Sequence, residues 1–203
     1  MVVDFQTAAT QLIEAGRELH ALGMVPATSG NFSVRLDDGR IAITVSGRHK
    51  GRLTEADIML LDAGGRALDQ RRPSAETGLH LQLYRRFPMI RGILHPHSQA
   101  ATLTAHRTEP LVVLEGYELL KAFEGITTHQ TRLEIPVFDN DQDIDRLSAK
   151  VDAYMDQHEG VRAYLIRGHG FYCWGNSVEA ALRQCEALEF LLQSEFKSAG
   201  LVR

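Results

Sequence analysis

The chain has 203 residues, 44% of them hydrophobic, and its 22 basic and 26 acidic side chains leave a formal charge of -4. That length suits one globular domain, 1–203, with a sizeable core, and the acidic balance gives no support for a general nucleic-acid surface. Cys173 and Cys185 fall in no zinc-ribbon or redox spacing, the start lacks a signal peptide's basic and apolar pattern, and no run reaches the roughly 20 apolar residues of a membrane span, so a reduced cytoplasmic setting without membrane contact is expected.

Phe5, Ala8, Leu12, Ile13, Ala15, Gly16 and Leu19 recur at helical spacing, which predicts an amphipathic helix over residues 4–22, with Asp4 as its cap and Gly23 as its stop. Residues 32–36 and 41–45 alternate about the turn Asp37-Asp38-Gly39 and read as an antiparallel hairpin. Two loops beside it, Thr28-Ser29-Gly30-Asn31 and Ser46-Gly47-Arg48-His49-Lys50, offer hydroxyl and amide groups and, in the second, cations. Such groups either nest phosphate oxygens or merely form turns. A helical turn over 54–57 and a buried strand over 58–62 come next. Ser74 can cap a helix running from 75 to about 86, with Leu79 and Leu83 inward, and its exposed N–H donors would make an anion site. Glu76, in the first turn, either complements the helix dipole or reaches a metal pocket.

Gly92-Ile93-Leu94-His95-Pro96-His97-Ser98 reads as a strand end presenting two metal ligands. In extended backbone, residues i and i+2 share a face roughly 7 Å apart, and Pro96 suits the point where a strand breaks into a loop. A short helix from Ser98 through Ala105 and an apolar run over 110–114 follow. Glu118 and Lys121 then stand three apart at a helical start, where a surface ion pair is the plainer reading. Residues 133–138 form a strand, and a helix runs from about 139 to 155. The apolar strand 163–166 then delivers His169 between Gly168 and Gly170, whose freedom of backbone angle allows close approach to another group. Three imidazoles with a vacant position suit a catalytic zinc, whereas structural zinc sites are closed by four ligands and rich in cysteine. The return strand 171–174 and a closing helix capped by Ser177 complete the chain. The remaining histidines, His80 among them, form no second ligand-like pair and read as mostly solvated.

Gly30-Asn31-Phe32-Ser33, Val45-Ser46-Gly47, Ser74-Ala75-Glu76, His95-Pro96-His97-Ser98 and Arg167-Gly168-His169-Gly170, in this order and over nearly the whole chain, resemble the class II aldolase family. The resemblance implies an α/β fold of three layers, α/β/α, around a mainly antiparallel sheet. It implies Zn2+ or another divalent metal on His95, His97 and His169, and a sugar-phosphate substrate whose phosphate is held by Asn31, Ser46, Gly47 and Ser74. It further implies a homotetramer with active sites at subunit interfaces. Residues 46–50, 53–59 and 117–121 are similar to a dehydrating branch of the family, which implies Glu118 as the acid/base and Lys121 near the phosphate. Glu76 stands where the aldolases carry their catalytic glutamate and competes for that role. Retro-aldol cleavage, epimerisation of a sugar phosphate and, from another class, a non-catalytic metal-dependent assembly domain are the alternatives.

Overall fold

Side-chain alternation along the strands splits the apolar residues into two cores, one on each face of a single sheet. A computed structural model describes residues 2–107 and 110–201. In chain order the elements are α1 (Phe5–Ala21), β1 (Asn31–Arg35), β2 (Ile41–Thr44), β3 (Ile58–Leu61), α2 (Thr77–Arg86), β4 (Gly92–His95), α3 (Gln99–Arg107), β5 (Leu111–Glu115), β6 (Arg132–Phe138), α4 (Ile144–Gln157), β7 (Ala163–Ile166), β8 (Gly170–Gly175) and α5 (Val178–Leu201). The strand order is β3-β2-β1-β4-β8-β7-β6-β5. Every neighbouring pair is antiparallel except β6 with β7. Leu94 joins a core with Leu12 of α1, Ala101 of α3 and Leu188 of α5, while its neighbour Ile93 joins Leu79 of α2 and Val151 of α4 on the other face. The result is the α/β/α sandwich expected.

Local signals set most element ends. Asp4 caps α1, its carboxylate accepting from the Thr7 amide at 2.8 Å. The helix expected from residue 75 starts at Thr77 instead, with Glu76 as its cap, after Pro73 has bridged to Val45 just past the end of β2. Ser74 therefore precedes the cap. Its hydroxyl lies 3.3 Å from the Glu76 amide.

Sheet polarity decides which loops can meet. β4 and β7 are each antiparallel to β8, so they run the same way, and β6 joins them through its parallel pairing. The segments following β4, β6 and β7 thus gather at one end of the sheet. β5 runs against β6, with Leu111 beside Pro136 and Glu115 beside Arg132, so its C-terminus opens at the other end. The two ends lie about 20 Å apart along β6, at about 3.3 Å per residue.

At the first end the strands are joined tightly. A Cβ added to Gly170 would stand 2.2 Å from the Pro96 carbonyl oxygen and 3.2 Å from the His97 Cα. Both obstacles are backbone, which cannot turn aside as a side chain can. Gly170→Ala should cost about 1–3 kcal/mol of stability by forcing these loops apart, and should weaken metal retention with it. Urea unfolding and metal analysis of the purified variant check both effects, and unchanged values would show that the loops yield.

Candidate active site

Three imidazoles and one carboxylate converge where β4, β7 and β8 meet. One ligand atom from each of Glu76, His95, His97 and His169 lies within 4.8 Å of the others. His95 is the last residue of β4 and is fully buried. Its Nδ1–H donates to the Phe171 carbonyl at 2.8 Å, which leaves the Nε2 lone pair facing the cluster. Its ring stacks on Tyr172 with centroids 4.1 Å apart. The strand ends before His97, whose amide donates to the Met24 carbonyl at 2.8 Å. The two rings therefore meet through the bend at Pro96, not through the strand's pleat. Their Nε2 atoms stand 2.9 Å apart. His169 lies in the turn between β7 and β8, where Gly168 takes a φ of 65°, and its ring centroid is 4.4 Å from that of His97.

The donor set fits a divalent cation. Burial holds the His169 imidazole below its ordinary pKa, and burial first, then the neighbouring His95 and His169 rings, lowers His97 to about 3. Neutral rings with lone pairs turned inward are what metal ligation requires. Glu76 places Oε1 3.2 Å from His169 Nε2 and Oε2 3.4 Å from His95 Nε2. Burial opposes its charge, and the Asn31 side-chain amide, donating to Oε2, favours it.

A hydrogen-bonded chain behind Glu76 fixes its orientation. The carboxylate can only accept, so the Asn31 side-chain amide donates to Oε2 at 2.7 Å and turns its own oxygen toward His80 Nε2, 2.5 Å away. That oxygen requires the proton on His80 Nε2. His80 Nδ1 then accepts from the Ser33 hydroxyl at 2.7 Å, and Ser33 in turn lies 2.9 Å from the Tyr84 hydroxyl. The expectation of a solvated His80 is corrected: it has no exposed surface, and burial, reinforced by nearby His95, lowers its pKa to about 3. The signal was present in its place four residues after Glu76, on a helix whose Leu79 and Leu83 point inward.

Beside the cluster a cavity of about 290 Å³ is lined by Asn31, Ser46, Gly47, Ser74, Glu76 and His97, so all four residues expected at the phosphate come together there. It is also lined by Lys50, the last residue of the loop whose cations the sequence offered for a phosphate. A second cavity of about 440 Å³ opens on the other side of Glu76 and His97, toward Asn140 and Gly168. Glu118 and Lys121 belong to neither. They follow β5 at the opposite end of the sheet, paired with one another on the surface, Glu118 with 72% of its side chain exposed and His129 3.5 Å away. Within one chain these two residues do not reach the metal cluster.

A model of the Class II Aldolase and Adducin N-terminal domain matches residues 10–196. The chain is 60% identical over 200 residues to a methylthioribulose-1-phosphate dehydratase from Methylococcus capsulatus, covering 98% of each chain, and 50% identical over 195 residues to one from Pseudomonas paraeruginosa, covering 95% of each. Among solved structures, an l-fuculose-1-phosphate aldolase from Thermus thermophilus superposes with a TM-score of 0.76 at 26% identity, covering 94% of this chain and 93% of that one. A second L-fuculose 1-phosphate aldolase gives 0.82 at 23% identity, covering 99% and 90%.

Two measurements follow from the geometry. His97→Ala and His169→Ala should each lower bound divalent metal at least about tenfold with the fold retained, read by elemental analysis and circular dichroism. His80 is neutral in the fold down to about pH 3, whereas in the unfolded chain it takes a proton below about 6.5. The unfolded state then binds more protons, so this stability is present in full above 6.5 and is lost as pH falls toward 3, by up to about 1.4 kcal/mol per pH unit. Urea unfolding of metal-free protein at pH 7, 6 and 5 should show that decline, and His80→Leu should make it shallower.

Proposed function

The chain belongs to the class II aldolase and adducin family, and from that membership we propose that it removes water from 5-methylthioribulose 1-phosphate to give 2,3-diketo-5-methylthiopentyl 1-phosphate, a step of methionine salvage. The observation that carries the reading is the near full-length identity to methylthioribulose-1-phosphate dehydratases. The metal-ligand cluster and the adjoining hydroxyl-lined cavity supply what a keto-sugar phosphate needs.

Dehydration needs a base for the C3 proton, which the C2 ketone acidifies, and an acid for the hydroxyl that leaves C4. Loss of both and return of a proton to C4 on ketonisation give the diketone and one water. His95, His97 and His169 would hold the divalent cation, and zinc suits a set of three histidines. Bound there, it supplies Lewis acidity toward the substrate's oxygens. The Ser46 and Ser74 hydroxyls and the Gly47 backbone grip the C1 phosphate, which keeps C3 and C4 beside the cluster. Asn31 assists from the cavity wall while it orients Glu76.

Glu118 is the acid/base, acting in the site of a neighbouring copy. One feature favours this: its carboxylate is exposed at the end of the sheet remote from its own cluster, where a neighbouring copy can receive it. Lys121 travels with Glu118 and approaches the same copy's phosphate. The working form is then a homotetramer whose sites each draw on two copies. Cys173 and Cys185, free and buried, suit a reducing cytoplasm. Retro-aldol cleavage of the same ketose phosphate is the second reading, favoured by Glu76 lying against the ligand rings.

Product analysis by mass spectrometry separates them. Loss of one water with the carbon skeleton intact is expected from zinc-loaded protein, whereas dihydroxyacetone phosphate plus an aldehyde would establish the aldolase. Glu118→Gln should lower kcat by about 10²–10⁴ with metal retained. Co-assembly of inactive Glu118→Gln with inactive His97→Ala should restore about a quarter of the sites, since one shared site in four then combines both intact residues. No recovery would place Glu118 outside a neighbour's site.

A further inference from the structure

Lys50 is a buried cation that feels the Glu76 carboxylate across the cavity but makes no direct ion pair with it. Only 1% of the residue is exposed. Its ammonium donates to the Thr28 carbonyl at 3.1 Å and the Arg48 carbonyl at 2.7 Å, both neutral, and among the described residues it forms no ion pair with a carboxylate. Burial lowers its pKa to about 8, with Glu76 pulling the other way, so it is still mostly charged at neutral pH. A buried charge of this kind is costly unless something compensates it. Two of its three protons are engaged by the carbonyls, and the residue lines the cavity shared by Ser46, Gly47 and Ser74.

The lysine is also held in place. It opens a short 3-10 turn, Lys50–Arg52, packed on α1 so closely that a Cβ on Gly16 would meet the Lys50 carbonyl oxygen at 2.4 Å. With its backbone pinned and its ammonium tethered at two points, little rotamer freedom remains to be lost when a ligand arrives. Lys121 of the same chain offers none of this at this cavity, being exposed at the opposite end of the sheet, from which it approaches only a neighbouring copy's phosphate.

We infer that Lys50, from within the same chain, is the cation that binds the phosphate of the substrate, a small keto-sugar phosphomonoester, with its third N–H aimed at a phosphate oxygen. The inference rests on the reading that this cavity takes a phosphate ester. It also accounts for selectivity: a dianion relieves the buried charge, and an unphosphorylated sugar leaves it uncompensated.

Lys50→Gln keeps an amide donor for the two carbonyls but removes the charge, and Lys50→Met removes both. Both variants should raise KM for 5-methylthioribulose 1-phosphate by about 30-fold or more, because truncating one partner of a buried charge pair costs that much affinity, with kcat within about threefold. Inhibition by unphosphorylated 5-methylthioribulose should be unchanged. Equal loss for both ligands, or an unchanged KM, overturns the inference. Should the wild type not turn over this ketose, the dehydratase reading fails, and inorganic phosphate still tests Lys50. Phosphate that raises the melting temperature of the wild type and not of Lys50→Gln sustains the inference. An equal shift in both, or none in either, overturns it.

Discussion

Two imidazole nitrogens that must each keep a lone pair, His95 Nε2 and His97 Nε2, face one another at 2.9 Å. Ligation through Nε2 puts the proton of each ring on Nδ1, so neither Nε2 can then donate to the other, and burial keeps the His97 ring neutral. A shared cation resolves that opposition, and much of the architecture serves to hold it. The Phe171 carbonyl selects the His95 tautomer, Tyr172 backs its ring, and the contact of Gly170 with the Pro96 carbonyl brings the third imidazole within reach. Each contact comes from β8 or its first residue. The strand that contributes no ligand positions all three.

Around this constraint the polar groups fall into two sets with different work. Tyr84, Ser33, His80 and Asn31 form a buried line that ends on Glu76. Because an amide stands between His80 and the carboxylate, the line orients and does not conduct: an amide cannot hand a proton through as an imidazole can. On the other side, Ser46, Gly47, Ser74 and Lys50 surround a cavity open to a ligand. The first set is satisfied by the protein itself. The second carries an ammonium whose direct partners are neutral carbonyls, which separates a framework from a binding surface.

The opposite polarity of β5 gives the fold a second polar end, remote from the histidine cluster. Since β5 runs against β6 at the sheet's edge, the segment bearing Glu118 leaves from the end remote from the metal ligands. An exposed carboxylate paired with Lys121 would ordinarily contribute little to stability. In an assembly of copies, the same exposure makes it available to a neighbour.

The sequence by itself determined the element order and picked out the three histidines that converge in the fold. Helical spacing from Phe5 to Leu19, alternation about Asp37-Asp38-Gly39 and the His-Pro-His and Gly-His-Gly signatures are local patterns, and local backbone geometry reads them directly. Only the tertiary structure decided that His80 is buried, that Lys50 and not Lys121 lines the cavity beside the cluster, that Ser74 precedes the helix it was expected to cap, and that Glu118 stands at the wrong end of its own sheet. The reason is common to all four. Periodicity records which face of an element is apolar, but the burial of a polar side chain and the direction in which a loop leaves the sheet depend on strands paired across long stretches of chain, and those pairings set what each residue meets.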